Sequence, residues 1–259
     1  MGLKNIELKR NVELKRFTTI GIGGSGSCLF LVHTIDDLIH IMNDCGNSFY
    51  LLGAGSNLLI RDRVITTPII KLGRDFRYAK GVMDSVEVGA ATPVSELLNF
   101  CMKNNLSGLE NLAGIPATMG GLLTNNASAF GRQISTLLEK VEVMNREGKV
   151  QLLKKNQITF GYRFSSLKDY VVIRAWFRLT RSNDLKRTTS LLFRERLHTQ
   201  DFDHPSCGCI FKNPADNAAG LLIERCGLKG LKRADAQISV KHANFIINLG
   251  RATYNDVDS

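Results

Sequence analysis

Gly53-Ala54-Gly55-Ser56-Asn57-Leu58-Leu59-Ile60 follows a short apolar run, Phe49-Tyr50-Leu51-Leu52, that reads as a buried strand. Two glycines directly after a strand predict a tight turn whose N–H groups point into one concavity. Such nests hold anions, pyrophosphate included. The stretch is not the dinucleotide fingerprint of a βαβ unit. No third glycine follows at the required spacing, and Leu58 to Ile60 predicts another strand, not a helix. Taken alone, the stretch suits an ordinary hairpin turn equally well.

A second small-residue tract runs Gly108-Leu109-Glu110-Asn111-Leu112-Ala113-Gly114-Ile115-Pro116-Ala117-Thr118-Met119-Gly120-Gly121, followed by Asn125-Asn126-Ala127-Ser128-Ala129. Glycine and alanine at this density predict backbone lying against something flat or bulky. A packed small-residue helix is the competing interpretation, disfavoured because Pro116 and Gly120-Gly121 spoil a helix interior.

Outward from these tracts the chain alternates short strands and helices. Cys28 to Val32, Ile65 to Leu72, Ser85 to Ala90 and Tyr170 to Leu179 predict strands, and Val141 to Asn145 pairs with Val150 to Leu153 as a hairpin. Leu3 to Leu14 alternates loosely. Thr34 with Asp37 opens a helix that ends near Gly46, Thr92 with Ser95-Glu96 opens a second, and Leu185 to Leu197 forms a basic surface helix. Ala218 to Cys226 is a helix closed by Gly227, and Ala236 to Ser239 and Asn244 to Leu249 are strands. Thr253 with Asp256 opens a last helix by a capping pattern.

The chemistry-bearing stretch is Pro205-Ser206-Cys207-Gly208-Cys209-Ile210-Phe211-Lys212-Asn213-Pro214. Prolines stiffen both ends, and Gly208 lets the backbone bend or approach a ligand. A thiol follows at once. Lys212 and Asn213 then offer donors suited to phosphate or sugar oxygens. This mix predicts a site that gives a proton to a phosphorylated ligand.

The 259 residues carry 44% apolar and 22% charged residues, ordinary for a globular protein with a substantial core. The six cysteines form no C-x-x-C pair and no His-x-x-x-His follows, so no metal site is expected. Met1 to Thr19 lacks the apolar core of a signal peptide, and no apolar run is long enough to span a bilayer. A cytoplasmic protein with reduced thiols, without membrane association, is expected. The net charge of +10 is spread along the chain, and with five Tyr and one Trp stacking platforms are poorly supplied. Small polyanionic ligands account for that charge as well as nucleic acid does, and no nucleic-acid partner is expected.

Together these segments resemble the bacterial UDP-N-acetylenolpyruvoylglucosamine reductases, from about Thr18 to Asp256. The motifs that carry the resemblance are Gly53-Ala54-Gly55-Ser56-Asn57-Leu58-Leu59, Ala113-Gly114-Ile115-Pro116 with Gly120-Gly121, Phe160-Gly161-Tyr162-Arg163, Phe211-Lys212-Asn213-Pro214 and Lys241-His242-Ala243-Asn244-Phe245. No loop insertion stands near Ser166 to Asp184, as in the short second subclass. The resemblance implies an α+β fold: a two-lobed FAD-binding domain of the vanillyl-alcohol-oxidase/PCMH type plus a C-terminal substrate-binding α+β domain. The expected boundaries are residues 1–72 and 73–184 for the two lobes and 185–259 for the substrate domain. A monomer is expected.

The resemblance also implies the reaction: NADPH reduces FAD, and UDP-N-acetylglucosamine enolpyruvate is then reduced to UDP-N-acetylmuramate for peptidoglycan. It places FAD on Gly53, Ala54, Gly55, Ser56, Asn57, Leu58, Gly114, Ile115, Pro116, Gly120, Gly121 and Ala127. Arg163 matches the family arginine that steadies the developing enolate, a role suited to an always-charged bidentate donor. Cys209 stands where most members carry a proton-donating serine. A thiol, with an ordinary pKa of about 8.5, is mostly protonated at neutral pH. Neighbouring Arg163 and Lys212 would favour the thiolate instead. Tyr162, Lys212, Asn213, Gln237 and His242 are implied on the substrate side, a structural role for His242 remaining open. Lys232-Arg233-Ala234-Asp235-Ala236 departs from the glycine-rich form usual there. No residue matches the family's glutamate near the C-terminus, so a C-terminally truncated domain is expected. A catalytically impaired member that binds flavin and UDP-sugar is the alternative.

Overall fold

The computed structural model describes residues 6–46 and 48–259, so the start of the Leu3 to Leu14 stretch lies outside the described residues. Six helices stand among them: α1 (Ile35–Asp44), α2 (Val94–Lys103), α3 (Met119–Thr124), α4 (Leu185–Thr199), α5 (Ala219–Arg225) and α6 (Tyr254–Asp258). The chain divides into two compact units. The first holds the described residues up to Lys9, Cys28–Gly53 and Thr67–Phe193; the second holds Arg10–Ser27, Ala54–Thr66 and Arg194–Ser259. The two glycines of the opening stretch therefore fall in different units.

The first unit is built on a five-stranded antiparallel sheet in the order Val150–Lys154, Leu138–Met144, Val171–Arg178, Ser85–Gly89, Ala79–Val82. Leu153, Val141, Ala175, Val88 and Ala79 stand directly opposite one another across all five strands. Opposed residues share a face, so this row makes one apolar surface. Leu97, Leu98 and Cys101 of α2 and Met119, Leu122 and Leu123 of α3 are buried in the same core. Phe177 is completely buried there; truncation to alanine would cost about 3–5 kcal/mol. Beside it, residues 29–32 and Tyr50–Leu51 each pair in parallel with Ile69–Leu72. The α1 residues Leu38, Ile41 and Met42 pack with Ile70, Val171 and Ile173 in a second core. The Thr34 hydroxyl caps α1 by accepting from the Asp37 N–H at 3.1 Å, as its spacing predicts.

The second unit carries a four-stranded antiparallel sheet in the order Ser206–Cys209, Phe245–Asn248, Ala236–Ile238, Lys232–Arg233. Its core contains Ile20, Ile22, Cys207, Ala236 and Ala252. Buried Asn248 binds the segments together: its amide donates to the Ile20 carbonyl, and its Oδ1 accepts from the Gly250 and Ala252 N–H groups. The predicted capping box at Thr253 and Asp256 is formed in full at α6.

Several local expectations fail. The strand Tyr50–Leu51, expected to be buried, is exposed. Leu58 to Ile60 is not a strand. Thr92 does not cap α2, because its hydroxyl exchanges hydrogen bonds with the Tyr78 backbone, and Pro93 stands at the cap. Gly120-Gly121 does lie in a helix, the short α3. A Cβ at Gly120 would come within 3.2 Å of the Ala90 Cβ, so glycine there lets α3 close onto the chain leaving the sheet.

Candidate active site

The Gly53 to Asn57 loop shows why its glycines are glycines. A Cβ at Gly53 would lie 2.8 Å from the Thr118 hydroxyl, which brings the two small-residue tracts together within the first unit. Gly55 has φ +69, and a Cβ there would lie 1.8 Å from the Phe17 carbonyl oxygen. No L side chain fits that position. The Gly53 carbonyl accepts from the Lys71 ammonium, and the Gly55 carbonyl accepts from the Thr19 N–H. Among the described residues, the N–H groups of Ala54, Gly55, Ser56 and Asn57 find no acceptor, although Gly55 is buried. Buried donors are ordinarily paired. Their presence fits a loop that holds an anionic ligand such as a diphosphate, and the donor set therefore fits FAD.

The second tract is used partly by the protein itself. Gly114 turns at φ +80, and the N–H groups of Ile115, Ala117 and Gly120 donate to Leu112, Ile115 and Ala90. Pro116 has no N–H to donate. Ala127 is buried with both backbone groups bonded, to Leu122 and Ile134. Gly121 would tolerate a Cβ, whose nearest neighbour would be 3.6 Å away. Leu58 is exposed.

Arg163 lies in a two-residue hairpin turn between Phe160–Gly161 and Phe164–Ser165, where Gly161 pairs with Phe164. Its φ of +54 is left-handed, a conformation that costs a side-chain-bearing residue about 1–2 kcal/mol. Such strain persists only where surroundings enforce it. Here Asn126, 1% exposed and itself left-handed at φ +42, donates from Nδ2 to the Gly161 carbonyl at 2.9 Å and to Gln133 Oε1 at 3.1 Å. The guanidinium stands 5.9 Å from the centre of the half-exposed Tyr162 ring. Among the described residues no carboxylate forms an ion pair with it.

Cys209 ends the Ser206–Cys209 strand and is exposed, whereas Cys207 is buried. Ser206 pairs with Ile247 and Cys209 with Phe245, so three steps on one strand face two on the other. Gly208, at φ +78, sits at this bulge. Below it, buried Asn244 closes the following loop. Its backbone oxygen accepts from Ile210 N–H, its Oδ1 from Phe211 N–H, and its amide donates to the Phe211 carbonyl.

The remaining candidates divide into occupied and exposed groups. Lys212 is exposed. Asn213 Oδ1 accepts from the Ala219 N–H, the first of α5, at 3.0 Å. Gln237 donates to the Gly230 carbonyl at 3.0 Å. His242 Nδ1 accepts from the Asn244 N–H, which leaves the ring proton on Nε2, and the ring centre lies 4.6 Å from that of Phe245 with the two planes tilted by 48°. Burial pushes its pKa down, Lys229 adding to the effect, so it is neutral at pH 7.

Sequence reasoning passes over three side chains that shape these sites. Lys71 interrupts the apolar Ile69–Leu72 strand, a signal visible in the sequence; burial pushes its pKa down. Asn126 carries no such signal, because its partners, the Gly161 carbonyl and the Gln133 side chain, lie outside its own turn. Arg196 is 7% exposed on a basic helix, between the exposed residues Glu195 and Leu197. Burial pushes its pKa down, and the nearby Cys209 sulfur partly offsets this.

A family model described as an FAD binding domain matches residues 27–154, and one described as the C-terminal domain of UDP-N-acetylenolpyruvoylglucosamine reductase matches residues 200–259. The UDP-N-acetylenolpyruvoylglucosamine reductase of Syntrophobacter fumaroxidans is 38% identical over 98% of this chain and 77% of its own. The chain belongs to the UDP-N-acetylenolpyruvoylglucosamine reductase family. The reductase of Caldanaerobacter subterraneus is 36% identical, over 98% of this chain and 86% of its own. The crystal structure of the Thermus caldophilus reductase superposes with a TM-score of 0.86 at 37% identity, covering 97% of this chain and 92% of that one. A glucose dehydrogenase, Phl p 4.0202, shares the fold alone, with a TM-score of 0.52 at 9% identity over 67% of this chain and 41% of its own. The fold is α+β with an FAD-binding domain, as the motifs imply. Among the described residues no helix is long and apolar enough to cross a membrane.

Proposed function

We propose that this chain reduces UDP-N-acetylglucosamine enolpyruvate to UDP-N-acetylmuramate with NADPH, for peptidoglycan precursor synthesis. Membership of the reductase family across 98% of the chain carries this conclusion. FAD, when bound, would supply hydride transfer from NADPH to the enolpyruvyl carbon remote from the carboxylate. The N–H groups of Ala54 to Asn57 would hold its diphosphate, with Gly53 and Leu58 in the same loop, and residues 114–121 with Ala127 would present a small-residue surface to it.

Arg163 pairs with the substrate carboxylate and stabilises the negative charge that grows on it as the hydride arrives. A fixed donor aimed at developing charge needs no reorganisation during the reaction. Cys209 gives its S–H proton to the neighbouring carbon. The buried Arg196 charge stabilises the thiolate left behind, and the exposed sulfur recovers a proton from water. Tyr162, Lys212, Asn213, Gln237 and His242 position the UDP-sugar. The chain works as a cytoplasmic monomer, with residues 1–72 and 73–184 as the flavin lobes and 185–259 as the substrate domain.

The test is NADPH oxidation by FAD-reconstituted protein, with and without the enolpyruvyl substrate. Substrate-dependent oxidation with formation of UDP-N-acetylmuramate is expected. Bound flavin with no substrate-dependent oxidation would overturn the proposal.

A further inference from the structure

Two thiols stand two residues apart at the proton-donor position, and the reductase reaction uses only one of them. Adjacent Cα atoms are about 3.8 Å apart, so the Cα atoms of Cys207 and Cys209 lie within roughly 7.6 Å whatever the backbone does. A bend at Gly208 shortens this toward the roughly 4.4–6.8 Å that a disulfide spans. Gly208 supplies the bend, at φ +78 in a bulge. A Cβ built on it meets nothing within 4 Å, so the bulge has room to rearrange on that side. The two sulfurs also differ in kind. Cys209 is exposed, with the buried guanidinium of Arg196 electrostatically coupled to it. Cys207 is buried in the second unit's core, and burial pushes its thiol up. That pairing suits an attacking thiol and a resolving thiol.

We propose that Cys207 and Cys209 form a peroxide-responsive dithiol, in which Cys209 reacts with hydrogen peroxide and Cys207 closes the product to a disulfide. The Cys209 thiolate attacks one peroxide oxygen, an S–O bond forms, the O–O bond breaks, and hydroxide leaves and takes up a proton. The Cys207 sulfur then attacks the sulfenic sulfur. The S–S bond forms as the S–O bond breaks, and water departs with the Cys207 proton. Two thiols lose two electrons and two protons, and one peroxide becomes two waters. The disulfide also removes the proton that Cys209 donates in the proposed reaction; this consequence, unlike the disulfide, rests on the reductase mechanism.

The test treats the full chain with hydrogen peroxide and maps its cysteine peptides by mass spectrometry without reduction. The peptide carrying Cys207 and Cys209 should lose two hydrogens as its major change, and dithiothreitol should restore it. In Cys207→Ser the same treatment should leave Cys209 carrying added oxygen, trapped by dimedone. Cys207→Ala serves if the serine variant fails to fold. Oxygen added to Cys209 in the wild type with no disulfide would overturn the proposal. So would a disulfide from Cys209 to Cys226 or to a second chain. A Cys207–Cys209 disulfide with undiminished turnover would support the dithiol and remove Cys209 as proton donor.

Discussion

Arg163 turns at φ +54 in a two-residue hairpin with a buried asparagine behind it, whereas Cys209 follows a glycine at φ +78 that has open space on its Cβ side. The first arrangement enforces an unfavourable conformation on a large side chain through packing and hydrogen bonds. The second avoids the penalty by using the one residue without a Cβ. The difference matches the two tasks proposed for these residues. A charge-stabilising cation must be fixed before charge develops, while a proton donor must also reach water to recover its proton. Rigidity belongs to the Arg163 turn and permissiveness to the Cys209 bulge.

The strongest way to break this comparison is Arg163→Lys. Lysine keeps the charge but not the planar fork. Turnover should fall about 10²–10³-fold, with KM for the enolpyruvyl substrate changed only a few-fold. Steady-state kinetics decides it. A rise in KM at unchanged kcat would reduce Arg163 to a binding residue, and its strained turn would lose its explanation.

Asn126→Ala tests whether the turn is held in place. It leaves the Gly161 carbonyl without its 2.9 Å donor, at a cost of about 1–3 kcal/mol in denaturant unfolding. Loss of placement at Arg163 should lower kcat by up to about 10²-fold with KM little affected. A variant that loses stability but keeps full kcat would mean that Asn126 supports the fold and not the arginine.

What was legible in the sequence follows the range of each interaction. The Thr34 and Thr253 caps were readable because each bonds within its own first turn. Thr92 has the same appearance in sequence, yet its hydroxyl bonds to Tyr78, fourteen residues away. Gly120 was mistaken for a helix breaker because its partner, Ala90, is distant in sequence. The site motifs were recognisable as a set. The side chains that hold them, Asn126, Lys71 and Arg196, act through distant partners, and of these only Lys71 broke a local pattern. Exposed Lys212 and the Arg163 turn were visible as motif residues, but the strain at Arg163 was not.

The unit that carries Cys209 also holds a pH-dependent contribution to stability. Asp201 lies nearly buried just after α4, and burial would raise its pKa. Hydrogen bonds from the Ser239 hydroxyl and from His204 outweigh burial and hold it below the ordinary value. A depressed carboxyl pKa contributes stability in full above the unfolded value of about 3.9, and that contribution disappears as pH falls through the folded value. Asp201→Asn should therefore cost about 1.5 kcal/mol at pH 6, with the gap to wild type closing below pH 4. Thermal melts across that range check it, and a gap independent of pH would show that charge is not what Asp201 contributes.

The smallest effects isolate the left-handed backbone itself. Ala234 has φ +46 in the exposed two-residue turn that pairs Arg233 with Ala236. Ala234→Gly removes a steric cost of about 1–2 kcal/mol but adds unfolded-chain entropy, for a net gain of roughly 0.5–1 kcal/mol. Gly208→Ala is the reverse change at a position where a Cβ meets no neighbour, so it should lose a similar amount. Equal and opposite shifts in denaturant midpoint would mean that Gly208 serves only its dihedral angle. A loss several-fold larger at Gly208 would mean that the bulge is held as tightly as the Arg163 turn. The contrast between a rigid cation and a permissive thiol would then fail, and with it the room that the Cys207–Cys209 disulfide requires.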